Sequence, residues 1–203
     1  AEKLGQSNIN FAQGDILNLD KLDHRFDLIE SSGVLHHMKD PLAGWTTLRN
    51  LLKQGGLMRI GLYSSKGRRE WNGLREVVPP HLDKERVTNF IRERRSRVLM
   101  KSLTGADNVI TNIADYYSLS GCRDLLFHEN EIQFSIPQID KIIADLNLRF
   151  LGFANLMEST KKTFKNRFNS STDYYDLEKW DIFEQEYPNT FISMYQFWCQ
   201  AKD

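Results

Sequence analysis

Two short apolar segments joined by one helix-length segment constrain the fold of this chain more than any other feature. FDLIESSG (26–33) and LMRIGLYS (57–64) each have the pattern of a buried strand. Between them, Asp40-Pro41 is a strong helix start, because aspartate caps free N–H groups and proline is preset for the first helical position. A strand–helix–strand order of this length predicts parallel strands covered by helices, so the predicted fold class is α/β.

The connecting helix has a predicted apolar face and a predicted end. Gly55-Gly56 indicates where it stops. Apolar and polar residues also alternate over 9–15 (INFAQGD), which predicts another strand before the unit. The apolar face comprises Leu42, Trp45, Leu48, Leu51 and Leu52.

The C-terminal third repeats the alternation of helix and strand. Ser135-Ile136-Pro137 predicts a helix entry, and Asn147 a left-handed helix end. Strands are predicted over 148–156 and 191–199, with two polar, aromatic helices between them. The apolar positions of the first helix are Ile139, Ile142, Ile143 and Leu146. Most of the following aromatics are predicted to lie in the core: Tyr116, Tyr117, Trp180, Phe183, Tyr195, Phe197 and Trp198.

A change of charge at residue 66 suggests three parts. Residues 66–101 carry eleven basic and five acidic side chains, a net charge of +6. We predict a partial core over 1–65, a helical insertion or lid over 66–135, and completion of the core over 136–203. The RERRSR run at 92–97 is expected to be a solvated helix face rather than a phosphate site.

Composition excludes several classes of protein. The 203 residues suffice for one domain of ordinary size, and 27 basic residues balance 27 acidic ones, so nucleic acid is not an expected partner. Two distant cysteines favour a reducing cytoplasm over a disulfide framework. No apolar run has membrane-spanning length, and residues 1–8 (AEKLGQSN) lack the hydrophobic region of a signal peptide.

The run from Asn10 to Ser64 resembles the second half of class I S-adenosylmethionine-dependent methyltransferases. The resemblance is carried by GDI (14–16), SSGVLHH (31–37) and the passage from Asp40-Pro41 to Gln54-Gly55-Gly56. It continues through CRDLLFH (122–128) and the later segments to MYQFW (194–198), as in a bacterial subgroup often linked to tetratricopeptide repeats. It implies a Rossmann-like sheet and S-adenosylmethionine as cofactor.

The resemblance implies a strand order of 3-2-1-4-5-7-6 in which this chain starts at the third strand. The glycine-rich cofactor loop and the first two strands would then precede residue 1, and their absence would leave a gap of about 10–15 Å at ~4.8 Å per strand. We therefore expect residues 9–15 to detach or to pair directly with residues 26–32. We also expect the isolated chain to bind cofactor poorly and to require the upstream part of its polypeptide.

The resemblance also implies the cofactor residues. Asp15, after Gly14, would accept a hydrogen bond from the adenine amino group, and Ile16 would pack on the adenine face. Ser31, Ser32 and Gly33 would lie where the parallel strands open into the ligand crevice. The alternatives are an ordinary Gly-Asp turn and a small-residue turn.

Several residues are candidates for the acceptor side of the site. His36 and His37 would be able to act as a base, although backbone capping and packing is the favoured interpretation. Tyr63 and Arg123 are candidates for orienting substrate, and Tyr116 for lining a pocket beneath the lid. His128 shares a helix face with Asp124. Together with Arg123, Glu129 and Glu131, these two residues would bind substrate or form a salt-bridged hinge between lid and core. No metal is predicted, because no second histidine lies at ligand spacing.

Three functions are compatible with the sequence. The first is methyl transfer from S-adenosylmethionine to an unidentified acceptor, by an intact parent of which this chain is a part. The second is a non-catalytic, methyltransferase-like module that binds a partner through its basic insertion. The third is a nicotinamide-dependent oxidoreductase, which would require a G-x-G-x-x-G loop outside this chain.

Overall fold

The computed structural model describes Gly5, residues 7–69, Ser118, Gly121, residues 130–192 and residues 194–202. Three short 3₁₀ turns accompany the main elements, at Ile16–Lys21, Leu35–His37 and Asp173–Tyr175. The main elements in chain order are β1 (Phe26–Ser32), α1 (Pro41–Asn50), β2 (Leu52–Tyr63), α2 (Ile136–Asp145), β3 (Leu148–Phe153), α3 (Glu158–Arg167), α4 (Leu177–Glu186) and β4 (Met194–Ala201).

The four strands form one mixed sheet in the order β1-β2-β4-β3. β1 and β2 are parallel, joined through α1, whereas β4 is antiparallel to both β2 and β3. This order corresponds to the last four positions of the expected 3-2-1-4-5-7-6 sheet. The α/β, Rossmann-like fold class is confirmed.

The start of β2 differs from the sequence prediction. α1 ends at Asn50, before the glycine pair, and Leu52 already pairs with Phe26. The next partners are Leu28 and Leu57, so four residues of β2 oppose one residue of β1. Gly55, with a φ of +69°, lies inside this irregularity. Gly55-Gly56 therefore accommodates a bulge in β2 rather than ending the helix, because glycine tolerates positive φ.

One face of the sheet carries the core. Alternate residues of β2 and β4 point to this face, where α1 contributes Trp45 and α4 contributes Trp180. The aromatic and apolar side chains interlock, since Trp45 lies 5.9 Å from Phe197 between ring centroids. The six central strand residues are each 0% exposed: Met58, Ile60, Leu62, Tyr195, Phe197 and Cys199. The predicted aromatic core is confirmed at Trp180, Phe183, Tyr195 and Phe197, but Trp198 is only half-buried on the opposite face. Tyr116 and Tyr117 lie outside the described residues.

The opposite face is polar and partly open around β1. Arg59 Nη1 donates to Glu30 Oε1 at 2.9 Å, and Arg59 Nη2 donates to Gln196 Oε1 at 2.9 Å. The guanidinium also lies over the Trp198 ring, 6.0 Å from its centroid. Leu28 remains 53% exposed on this face.

The predicted strand over residues 9–15 is wrong. Residues 7–15 form no strand and are exposed, and Phe11 is 81% exposed. Alternation alone does not stabilise a strand that has no hydrogen-bonded neighbour, and within the described part of the chain β1 pairs with β2 alone. Of the two expected outcomes, detachment rather than direct pairing with β1 is observed.

The two predicted helix starts and the helix end at Asn147 are confirmed, whereas two residues of the predicted apolar stripe, Leu42 and Leu52, do not lie on the buried face of α1, since Leu52 begins β2. Asp40 Oδ1 accepts from the Ala43 N–H at 2.9 Å. Gln138 Oε1 accepts from the Ser135 N–H at 2.8 Å at the start of α2, and Asn147 ends that segment with a φ of +51°. Leu42, however, is 44% exposed, because it lies in the first turn of α1 and outside the buried stripe.

Two further expectations concern the chain as a whole. Within the part of the chain that the structure describes, no helix has both the length and the apolar character needed to cross a bilayer. Cys199 is a buried free thiol, and burial raises its pKa to about 12. The insertion predicted over 66–135 lies largely outside the described residues.

Candidate functional site

The carboxyl ends of β1 and β2 lie side by side, because the two strands are parallel. Ser32 pairs with Gly61 at the last rung of the ladder. Residues 33–37 follow β1, and residues 64–68 follow β2. In parallel sheets ligands bind in the crevice beyond these ends, so this edge is the candidate functional site.

Residues 130–134 cross both strand ends and tie them together; we call them the bridging segment. The Ile132 N–H donates to His36 O at 2.9 Å. The Phe134 N–H donates to Tyr63 O at 2.8 Å, and the Ser65 N–H donates to Phe134 O at 2.8 Å. The loop after β1 and the loop after β2 are therefore held in a fixed relation by main-chain hydrogen bonds.

Three predicted site residues form one aromatic cluster at this edge. His36 stacks on Tyr63 with ring centroids 3.7 Å apart. His37 meets both rings edge-on, at 4.3 Å from His36 and 5.5 Å from Tyr63. His37 Nδ1 lies 2.9 Å from Asn130 O, and a carbonyl only accepts, so Nδ1 carries the proton.

A buried ion pair lies against this cluster. Arg68 Nε donates to Glu131 Oε1 at 3.0 Å, and Arg68 Nη2 donates to Glu131 Oε2 at 2.5 Å. The two side chains are only 0% and 2% exposed. The guanidinium carbon lies 4.0 Å from the centroid of the Tyr63 ring. Arg68 is thus not part of a solvated basic surface, although the sequence places it in the basic segment.

A second buried carboxylate anchors the turn after β2. Glu184 of α4 accepts from Tyr195 Oη at 2.8 Å and from Ser64 Oγ at 3.3 Å. Lys66 Nζ lies 3.3 Å from Glu184 and 3.6 Å from Asp181 as an ion pair. Burial raises the pKa of Glu184, while the hydrogen bond from Tyr195 and the charge of Lys66 oppose that rise. Burial and the neighbouring Glu184 charge raise the pKa of Tyr195.

The predicted small-residue segment lies at the end of β1. Ser31 is only 5% exposed, and its Oγ has no hydrogen-bond partner among the described residues. Gly33 has a φ of +76°, and a Cβ there would meet nothing within 4 Å. At Gly61, by contrast, a Cβ would lie 2.4 Å from Ser32 Oγ and 3.0 Å from Met194 Sδ. The turn at Gly33 is therefore open, whereas the strands are tightly packed at Gly61.

Asp15 and its neighbours lie at the start of the 3₁₀ turn Ile16–Lys21. Asp15 is exposed, and its Oδ1 accepts from the Leu17 N–H at 3.0 Å. Ile16 packs against the edge of the core, while Gly14 is exposed. The predicted adenine contact is thus a capping residue with one carboxylate oxygen engaged locally.

Three predicted substrate residues, Tyr116, Arg123 and His128, lie outside the described residues. Of the predicted site, the structure brings together His36, His37 and Tyr63, and Ser31 to Gly33 lie beside them at the end of the parallel pair. Within the ranges that the structure describes, no group of three or more metal-ligating side chains occurs.

Sequence reasoning missed three residues that build this edge, Gly61, Glu184 and Met194, whereas Glu131 belongs to the set that it predicted to bind substrate or to form a salt-bridged hinge. Each of the three missed residues comes from a segment distant in sequence from the strand that it contacts, so no local spacing marks it. Arg68 was noticed only as one charge in a basic run. A buried role for it would have required knowing that Glu131 approaches.

Comparisons with known proteins agree with this architecture. Residues 1–95 match the family model of a methyltransferase domain. The chain is also 26% identical over 184 residues to an uncharacterized protein of Synechococcus sp., an alignment that covers 85% of this chain and 43% of that protein.

Solved structures share the fold. PKMT2 from Rickettsia typhi superposes with a TM-score of 0.61 at 16% identity, covering 100% of this chain and 42% of that one. The same protein in complex with AdoHcy gives a TM-score of 0.59 at 14% identity, covering 100% of this chain and 40% of that one. The chain therefore spans about two-fifths of the length of these relatives.

Proposed function

We propose that this chain is part of an S-adenosylmethionine-dependent methyltransferase that acts on an unidentified acceptor. The observation that carries the proposal is the match of residues 1–95 to the methyltransferase-domain model. The sheet order and the fold shared with PKMT2, a protein solved with AdoHcy, support it. Membership of a bacterial subgroup linked to tetratricopeptide repeats stays a prediction.

The chemistry of such a reaction sets modest demands on the protein. When bound, S-adenosylmethionine supplies a methyl group on a sulfonium that is already a good leaving group. An acceptor that carries a proton on its reacting atom would also have to lose that proton. The chain's own residues must therefore orient the acceptor, exclude water and, where needed, accept that proton.

The residues at the end of β1 fit a bound cofactor in two respects. The buried Ser31 Oγ has no described partner, which suits a polar atom of a ligand or an ordered water. The turn at Gly33 has open space beside its backbone, which permits close approach. We propose that Ser31, Ser32 and Gly33 contact the cofactor, and that Gly14, Asp15 and Ile16 contact its adenine.

The aromatic cluster is the proposed acceptor side. Tyr63 would orient the acceptor, together with Tyr116, Arg123 and His128 from the insertion. His37 is the better placed of the two histidines to accept a proton. Its Nδ1 proton is bound to Asn130 O, so Nε2 of the neutral ring carries no proton. His36, at 0% exposure, would support the cluster from below.

We further propose that other parts of the polypeptide complete the site. Among the described residues, β1 has a hydrogen-bonded neighbour on one side only, and the relatives are more than twice as long as this chain. Exposed apolar side chains occur in β1 and in the segment before it, as is typical of a surface that another segment covers. These include Ile9, Phe11, Leu17, Leu22, Phe26 and Leu28.

Calorimetry with S-adenosylhomocysteine tests the proposal. The whole polypeptide that carries this chain should bind the compound with measurable heat, and the 203 residues alone should bind it weakly or not at all. Absence of binding by the whole polypeptide would contradict the proposed function and favour a non-catalytic binding module. Tight binding by the 203 residues alone would contradict the need for further segments.

Asp15→Asn tests the adenine contact within the same experiment. Asparagine caps a turn about as well as aspartate, so the local structure should persist. Loss of the charged acceptor should weaken S-adenosylhomocysteine binding about tenfold. Asp20→Asn, which changes an exposed acid of the same turn, is the matched control and should leave the affinity unchanged.

A further inference from the structure

We propose that Arg68 and Glu131 are positioning residues that fix the Tyr63 ring and set the charge balance around His37. This inference rests on the proposed function, because it assigns how the acceptor side of that site is held. Neither residue is proposed to touch the reacting atoms. Both act through Tyr63 and the two histidines.

The geometry ties each partner to a different strand end. Arg68 follows β2, and its N–H donates to Ser64 O at 3.0 Å, which closes the turn beneath Tyr63. Glu131 lies in the bridging segment, whose neighbours Asn130 and Ile132 bond to His37 and His36, respectively. The bidentate pair therefore locks the turn after β2 to the loop after β1.

The burial of the pair argues that the arrangement is specific. Two ionised side chains that are 0% and 2% exposed lose nearly all hydration, so their attraction must compensate for a large desolvation cost. Surface ion pairs face no such requirement. The chain offers one for comparison: Arg167 and Glu186 form the same bidentate pair, with side chains 48% and 38% exposed.

The position of the guanidinium explains what the pair does. The Arg68 guanidinium carbon lies 4.0 Å from the Tyr63 ring centroid, and the His36 ring lies 3.7 Å from the same centroid. A cation on an aromatic face is attracted to it and limits its motion. Tyr63 is thus held by contacts with two planar groups. The bridging segment fixes His36, and the ion pair with Glu131 fixes the Arg68 guanidinium.

The charge balance leads to an expected result that a purely structural role of the pair would not produce. Arg68 packs on the Tyr63 ring of this aromatic cluster, and Glu131, which also accepts from Gln133 Nε2, is its ion-pair partner. Lys66, Asp181 and Glu184 form the neighbouring cluster around Ser64. Removing the positive charge alone leaves a carboxylate, which favours imidazolium, whereas removing the negative charge alone leaves a guanidinium, which disfavours it.

Histidine ring NMR on the whole polypeptide provides the test, with signals assigned from H36Q and H37Q. Arg68→Met should raise the pKa of His37, and Glu131→Gln should lower it, each by about one pH unit. General loosening of the site would move both variants in the same direction, toward the pKa of a solvated histidine. Shifts in the same direction, or no shift in either variant, would overturn the proposal.

Additional variants keep the test decisive. Arg68→Lys keeps the charge and should restore both the His37 pKa and the Tyr63 ring shifts that Arg68→Met changes. If Arg68→Met fails to fold, the doubly substituted R68M/E131M protein takes its place, because it does not leave a buried carboxylate without its arginine. The pKa of His37 should then be lower in Glu131→Gln than in R68M/E131M. Arg167→Met and Glu186→Gln are the matched controls and should leave His37 unchanged.

Calorimetry with S-adenosylhomocysteine on the same samples separates the two proposals. Opposite His37 shifts in a polypeptide that does not bind the compound would support the positioning pair and contradict the proposed function. Binding without opposite shifts would support the proposed function and overturn the positioning pair.

Discussion

The region of the sheet around β4, which we call the β4 side, is packed much more completely than the region around β1, the β1 side. On the β4 side, Trp180 and Tyr195 are 0% exposed and lie among aromatic rings. On the β1 side, Leu28 is 53% exposed and Phe11 is 81% exposed. Both regions contain apolar residues at strand spacing, yet only one buries them. Apolar pattern alone therefore does not produce a core; neighbouring elements must be available to cover it.

Connectivity explains the difference. β4 lies between β2 and β3, and the helices that precede it in the chain pack on one of its faces. β1 ends the sheet, and the residues before it contribute only a short 3₁₀ turn that packs against α1. The comparison predicts that substitutions should have large effects on the β4 side and small effects around β1.

Trp180→Ala should cause the largest loss of stability among the variants that still fold. The indole stacks on Phe164 at 3.8 Å between centroids, and its Nε1 donates to Tyr174 O at 2.9 Å. Truncation leaves a large cavity and an unpaired carbonyl, so the free energy of unfolding should fall by about 3–5 kcal/mol. Urea unfolding followed by circular dichroism measures it. A loss below about 1 kcal/mol would contradict the packing described for this side.

Gly61→Ala should have the next largest effect, because Gly61 lies where the two sides meet. Its added Cβ would come within 2.4 Å of Ser32 Oγ in β1 and 3.0 Å of Met194 Sδ in β4. Overpacking of this kind costs about 1–3 kcal/mol. Adding Ser32→Ala removes the closest contact and should recover part of the loss. Gly14→Ala, whose Cβ would meet only Leu19 Cδ2 at 3.9 Å, is the control for unfolding measurements.

The parts of the fold that sequence predicted correctly depend on local physics. Asp40, Ser135 and Asn147 act within one helical turn, so their roles are legible from sequence. The strand over 9–15 failed because a strand requires a partner, and no local pattern reports whether one is present. The helix end predicted at Gly55-Gly56 is wrong for a related reason. This pair accommodates a bulge opposite β1, which depends on the register between the strands.

The candidate site was predictable only in part for the same reason. His36, His37 and Tyr63 follow predicted strands, so a shared edge of the sheet places them together. Arg68 and Glu131 are 63 residues apart, and their pairing depends on the path of the bridging segment. Sequence analysis counts Arg68 only as one charge of the basic segment, whereas its burial beside Glu131 gives it a structural role. Sequence reveals the charge but not its surroundings.

Glu184→Gln should change how stability depends on pH, with an effect smaller than the two above. Burial raises the pKa of Glu184 above its ordinary value of 4.5, so the folded protein loses stability as pH rises from about 4.5 through the raised pKa. Glutamine does not ionise, so the stability of the variant relative to the unmodified protein should increase with pH over this window. Thermal unfolding in a series of buffers measures the trend.

Glu186→Gln provides a control of opposite sign. The hydrogen bond from Arg167 lowers the pKa of Glu186, so its contribution is present above the ordinary pKa and is lost as pH falls. The relative stability of that variant should therefore decrease as pH rises. Parallel trends in the two variants would contradict the environment described for Glu184.

Leu28→Lys should have the smallest effect in the 203-residue chain, within about 0.5 kcal/mol of the unmodified protein, because an exposed side chain loses little on substitution. Leu62→Lys, at a residue that is 0% exposed on the adjacent strand, is the contrasting variant and should unfold the chain. The same Leu28 substitution in the whole polypeptide sharpens the comparison. If further segments cover β1, the lysine must lose hydration there and replaces a buried leucine. The free energy of unfolding, measured in urea, should then fall by more than about 1 kcal/mol. An equally small effect in both proteins would show that the β1 side is a free surface in the whole polypeptide as well.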